Sequence, residues 1–418
     1  MEARRVAGRC ARAEGRGPGA VLTEALRFPR EFLWGAATSA YQVEGGNVRA
    51  DWHEWERAAE TTCAEVCGIA CDHYNRYPED LATLAALGFG AYRFSVEWSR
   101  VEPREGDVAP DEVAHYVAVA SECRRLGLEP VVTFNHFTLP RWAAERGGWE
   151  DPGLPEAFAR FCGWMCDALA PLLRWAVTLN EPNIVALLGY EDAVFPPARR
   201  DREARVRVTD AFVEAHARAR DVVRARTDAQ VGLALAMADW QATPGGEAER
   251  DAIRALREDV FLGAAAGDDF VGVNTYTRHR VGPEGFLAPE DGVERTGMGY
   301  EHWPEALEAT VRRAWDLTGL PVLVTENGIA TFDDARRIAF VDGALRGLHR
   351  CIESGIDVRG YFYWTLMDNF EWNYGYAPAF GLLEVDRSTL ERRPRPSARW
   401  LGEVARTGAL RGPQRATV

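Results

Sequence analysis

Two glutamates stand in matching places in this chain. Glu326 follows the apolar run Val322-Leu323-Val324 and precedes Asn327-Gly328. Glu181 follows Trp175-Ala176-Val177-Thr178-Leu179-Asn180 and precedes Pro182-Asn183. Short continuous apolar runs closed by turn residues read as fully buried strands. Each glutamate therefore falls where a buried strand ends, beside an asparagine. One strand-end glutamate is usually only an exposed acid. Two in the same context point to a carboxylate pair, one member protonated to donate and the other ionised to attack or to stabilise charge.

Such a pair works only if separate strand ends converge, so the rest of the chain must supply the scaffold. Apolar runs that read as strands recur at 32–42, 91–96, 130–134, 231–236, 270–273 and 358–363, besides the two above. Helical patterns lie between them, at 74–87, 111–126, 154–173, 205–226, 247–262, 304–317 and 334–354, with a last one near 396–406. In the first of these, Tyr77, Leu81, Leu84 and Leu87 share one helical face and Gly88 stops it. Residues 46–72 and the Gly- and Pro-rich 278–302 read as loops. Eight strands alternating with helices predict an α/β fold, a single (β/α)8 barrel. A doubly wound sheet is the alternative, weakened because no Gly-rich phosphate loop follows the first strand. In a barrel one face gathers Gln42, Arg93, His136, Asn180, Glu181, Asn274, Tyr276, Glu326 and Trp364. Amides, carboxylates and aromatic rings are what a polyhydroxylated ligand requires.

Composition removes several functions. The 418 residues carry a formal net charge of −14, which disfavours nucleic acid and anionic membrane as partners. Fourteen tryptophans suggest an aromatic-lined cleft in addition to core packing. No apolar run is long enough to span a membrane. Residues 1–28 are rich in Arg, Ala and Gly, resemble neither a secretory nor a twin-arginine signal, and read as a disordered extension. That leaves 29–406 as the barrel domain, 407–418 as a C-terminal tail, and a cytoplasmic location. Cys63, Cys67 and Cys71 allow a metal site or a Cys63–Cys71 bridge, neither with strong support, whereas Cys162 and Cys166 read as helix packing. No metal or cofactor is expected, and the sequence leaves the oligomeric state open.

Five motifs then carry a resemblance: FLWGAATSAYQVEGG, YRFSVEWSR, TLNEPN, VTENG and YFYWTLMDNFEW, in that order. Over residues 28–400 the chain resembles glycoside hydrolase family 1, the β-glucosidase family, in its bacterial form. The resemblance implies a (β/α)8 barrel and a retaining, exo-acting β-glycosidase on β-glucosides or short oligosaccharides, extending to β-galactosides and β-fucosides. It implies Glu181 as acid/base and Glu326 as nucleophile, with Arg93, Tyr276 and Asn274 supporting the nucleophile. Asn180 would hold the sugar 2-hydroxyl. Gln42, His136, Glu371 and Trp372 would grip the other hydroxyls, Trp364 would lie under the ring, and Phe380 would wall the pocket. Departures from the family pattern at Phe137, Thr138, Thr275 and Asn373-Tyr374 leave the catalytic groups intact and bear on glycone and leaving-group preference. A transglycosylase on the same site and a non-catalytic sugar-binding protein are the alternatives. Intact Glu181, Glu326 and Arg93 disfavour the second.

Overall fold

The computed structural model describes residues 25–412. Eight parallel strands close a barrel: β1 (Leu33–Ala37), β2 (Ala91–Ser95), β3 (Glu129–His136), β4 (Trp175–Asn180), β5 (Gln230–Ala236), β6 (Val271–Thr275), β7 (Val322–Asn327) and β8 (Val358–Trp364). They neighbour one another in chain order, and β8 closes on β1. Each is followed by a principal helix: α1 (His73–Leu87), α2 (Pro110–Arg125), α3 (Leu154–Leu169), α4 (Arg202–Arg226), α5 (Glu247–Arg254, continued by Val260–Ala264), α6 (Ala306–Thr318), α7 (Asp334–Glu353) and α8 (Pro396–Thr407). The predicted (β/α)8 barrel is the fold observed.

The strands read as near-continuous apolar runs because both faces are covered. Inward, Ala91, Val131, Val177, Ala234, Leu323 and Phe362 fill the barrel. Outward, a larger cluster packs strands against helices. Gly35 is required on the inward side, since a Cβ there would stand 2.4 Å from the Phe362 ring.

Register brings the polar strand ends together. Glu326 of β7 pairs with Asn274 of β6, and His136 of β3 with Asn180 of β4. The ladder shifts between Val324 and Glu326, and between Val177 and Asn180. Irregularities of this kind at a barrel rim re-aim side chains.

Four expectations need correction. The first strand ends at Ala37, and Gln42 lies on a short helix, Ala40–Glu44, because small residues after Ala37 let the chain turn inward. Residues 46–72 contain the helix Asp51–Trp55, pinned by the buried Trp52 and Trp55. The 278–302 segment begins with strands Arg278–Gly282 and Gly285–Phe286, which join Asp239–Ala242 in a three-stranded sheet above the barrel. Finally, the folded body reaches beyond both expected ends. Leu26–Arg27 pairs with Ala409–Leu410, and Phe28 packs on Phe32 and Trp34. Two-residue strands carry no period to read. The remainder of the expected extension and tail, 1–24 and 413–418, lies outside the described residues.

The cysteines among the described residues are all free thiols, so there is no Cys63–Cys71 bridge. Buried Cys67 and Cys71 donate to the carbonyls of Tyr41 and Asp368.

Candidate active site

Glu326 closes β7 and is 3% exposed. Arg93, from β2, donates through Nη1 to its Oε1 at 2.7 Å. The Tyr276 hydroxyl, one residue past β6, donates to its Oε2 at 2.6 Å. Arg93 is itself held by Thr133, the Thr325 carbonyl and Asn180. Burial raises the Glu326 carboxyl above its ordinary value, and Arg93, Tyr276 and Asn274 offset part of that rise.

Glu181 follows β4 and begins the helix Pro182–Tyr190. Its φ is +48°, left-handed backbone rare for a residue with a side chain. Phe137 (+74°) and Trp372 (+52°) share that conformation, and all three line one cavity. Each such residue costs about 1–3 kcal/mol and persists only where its surroundings force it, commonly at functional sites. The Asn274 amide donates to Glu181 Oε1 at 2.8 Å and to Asn180 Oδ1 at 3.1 Å. Expected beside the nucleophile, Asn274 thus bridges toward both glutamates. Burial pushes Glu181 up to about 8, and the neighbouring charge of Glu326 adds to the rise. Only Glu326 has a cation and a hydroxyl in contact, so it ionises first and Glu181 keeps its proton.

The other end of the cavity is set by a chain of donors. Arg93 can only donate, so the Asn180 oxygen faces it and the Asn180 amide faces His136 Nε2, at 3.1 Å. Nε2 must then accept, which leaves the proton on Nδ1. That Nδ1 is buried without a partner in a residue on the cavity wall. Burial and Arg93 hold the His136 pKa well below its ordinary value, so the ring is neutral. Trp364 stacks on His136 at 5.7 Å between ring centres, and Trp372 at 6.1 Å. Glu371 has no cation in contact; burial raises it to about 8, Glu326 adds to the rise, and Trp364 and Gln42 oppose it. Gln42 Nε2 reaches Glu371 at 3.3 Å and the Phe370 carbonyl at 2.8 Å.

These residues share a cavity of about 540 Å³. Glu181, Glu326, His136, Asn274, Tyr276, Trp364, Glu371, Trp372 and Phe380 line it. Gln42, Arg93 and Asn180 stand behind that wall, hydrogen-bonded to the residues that form it. Of the departures noted above, Phe137, Asn373 and Tyr374 line the cavity. Thr138 turns away to donate to the buried carboxylate of Glu97. Sequence reasoning missed the outer wall, which includes Ile184, Leu188, Trp240, Arg257, His279 and Tyr300. Trp240 and His279 come from the three-stranded sheet, whose short strands gave no signal beyond Trp240 itself.

A carboxyl pair charged asymmetrically, at the C-terminal mouth of a (β/α)8 barrel and ringed by tryptophans, defines an enzyme that cleaves glycosidic bonds. Comparison with known proteins gives the family. The sequence profile of glycosyl hydrolase family 1 matches residues 24–278 and 266–409, and the chain belongs to that family. Beta-glucosidase A of Thermotoga maritima is 31% identical over 92% of this chain and 99% of its own. Thermostable beta-glucosidase B of Thermobispora bispora is 33% identical over 92% of each. The crystal structure of beta-glycosidase BGL167 superposes with a TM-score of 0.87 at 45% identity, covering 93% of this chain and all of that one.

Proposed function

We propose that this family 1 hydrolase is an exo-acting β-glucosidase that works by double displacement with retention. The observation that carries the reading is that Glu181 and Glu326 are both buried on one cavity, joined through Asn274, and of the two only Glu326 holds a cation. Glu326 is the nucleophile. Its oxygen bonds to the anomeric carbon as the glycosidic bond breaks, and Glu181 passes its proton to the departing oxygen. Glu181, now ionised, takes a proton from water; the water oxygen bonds to the anomeric carbon and Glu326 leaves. A retaining pair stands ~5–5.5 Å apart. A single Asn274 amide bonded to one acid and close enough to lower the other supports that spacing.

Trp364 supplies the face on which the sugar ring stacks, and Phe380, set edge-on to Tyr276 at 5.8 Å, closes the side. His136 Nδ1 donates to a sugar hydroxyl, Glu371 accepts from others with Gln42 behind it, and Asn180, behind the wall, orients His136 and Arg93. The substrate is a small β-glycoside or short oligosaccharide, and the location is cytoplasmic. Among the described residues no helix is long and apolar enough to cross a membrane.

The test is hydrolysis of 4-nitrophenyl β-D-glucoside followed by proton NMR. β-Glucose should appear first and mutarotate later. α-Glucose as first product would overturn retention, and no turnover beside turnover of the α-linked isomer would overturn the reading.

A further inference from the structure

The outer wall of the cavity holds a cation that nothing in the mechanism uses. Helix α5 is interrupted by one π-helical turn, Ala255–Asp259, and that turn carries Arg257. π-Helical turns occur mostly as local insertions that re-aim a side chain, often at functional sites. Arg257 reaches the cavity wall beside Trp240 and His279. Its guanidinium lies 5.9 Å from the Trp240 ring centre and 5.0 Å from that of Phe286. Among the described residues it makes no ion pair and no hydrogen bond. The acids around it are engaged elsewhere. Glu258 accepts from the Trp240 indole, the Ala238 amide and Arg313. Glu191 is held by Arg202 and Arg205. Asp192 is exposed and beyond ion-pair reach. His279, driven down to about 4 chiefly by burial, is neutral and does not compete for an anion.

A guanidinium stays charged at any working pH, and this one, flanked by aromatic rings and free of a protein acceptor, is open to an anionic partner. Its fork matches a carboxylate, and the aromatic faces beside it suit a flat ring. The sheet carrying Trp240 and His279 starts three residues past the ends of β5 and β6, so it stands above the barrel floor where the acid pair sits. That is the side from which a leaving group departs.

We propose that this outer wall binds an aromatic aglycone bearing an anionic group, with Arg257 as partner of that group. The proposal rests on the β-glucosidase reading and names the substrate class of the same site. Arg257 is here a specificity residue; the bond-breaking groups are unchanged.

The test compares 4-carboxyphenyl β-D-glucoside with its methyl ester. The ratio of kcat/KM, acid over ester, is measured in wild type, Arg257→Met and Arg257→Lys, so differences in leaving group and in overall activity cancel. The ratio should fall at least tenfold in Arg257→Met and much less in Arg257→Lys, as expected for losing one charged hydrogen bond. A ratio unchanged within twofold in Arg257→Met would overturn the proposal. A measurement on wild type alone guards against misfolded variants. Free 4-hydroxybenzoate should inhibit at least tenfold better than 4-hydroxybenzamide, and equal inhibition would count against the site. Failure of wild type to hydrolyse the ester and 4-nitrophenyl β-D-glucoside alike would instead overturn the underlying β-glucosidase reading.

Discussion

The protonated state of Glu181 at neutral pH is a direct consequence of the site's geometry and can be removed by one substitution. Burial and the neighbouring charge of Glu326 raise Glu181 to about 8, so it holds its proton at neutral pH. An unshifted glutamate would be protonated in roughly one molecule in five hundred. Burial beside Glu326 therefore supplies a competent acid where an unshifted glutamate would be almost wholly ionised. A raised acid is active below its pKa and lost above it, so kcat/KM should fall as pH rises through about 8. Glu371 is also raised to about 8, and the two must be separated. In Glu181→Gln the proton donor is gone. Substrates with poor leaving groups should lose about 10²–10⁴ in kcat/KM. 2,4-Dinitrophenyl β-D-glucoside needs no proton, so its kcat/KM should change little and its basic limb should flatten. In Glu371→Gln the limb should remain. The assay is initial-rate kinetics of both variants on both substrate classes between pH 5 and about 10. A limb near pH 8 that survives in Glu181→Gln on the activated substrate, yet vanishes in Glu371→Gln, would refute the assignment of Glu181 as the acid.

Three further outcomes follow from the same geometry. Azide added to Glu326→Gly with an activated β-glucoside should give the α-glycosyl azide, and with Glu181→Ala the β-glycosyl azide; one anomer from both variants, read by NMR, would mean the two roles are misassigned. Glu371→Ala should lower kcat/KM for glucosides about tenfold and for fucosides less, since hydrogen bonds contribute ~0.5–1.5 kcal/mol each and a fucoside has no 6-hydroxyl to lose one; equal losses would remove that contact. Gly35→Ala should destabilise the barrel by about 1–3 kcal/mol, because its Cβ would stand 2.4 Å from the Phe362 ring; an unchanged denaturation midpoint would show that the barrel interior can yield there.

The residues of the floor were legible for a physical reason. A strand buried on both faces must be apolar until it ends, so the first polar residues after Val177-Thr178-Leu179 and Val322-Leu323-Val324 mark the barrel rim. Eight such ends, separated by helix-length segments, leave little choice of topology, and register sets Glu326 beside Asn274 and His136 beside Asn180. The motifs named Glu371 and Trp372, which local periodicity could not place.

What the sequence by itself determined, then, is the barrel and the identity of its strand-end acids, because both are written in local apolar period. Tertiary structure decided the rest. Which glutamate keeps its proton depends on Arg93 reaching Glu326 and not Glu181. The tautomer of His136 follows from an amide turned by that same arginine. Gln42 moved from a strand end to a helix behind the wall. The outer wall exists only because Asp239–Ala242 pairs with Arg278–Gly282, and Arg257 faces it from a π-helical turn indistinguishable in sequence from ordinary helix. Pairings between distant short segments, and the burial that shifts a proton, have no local pattern and arise only when the chain is closed.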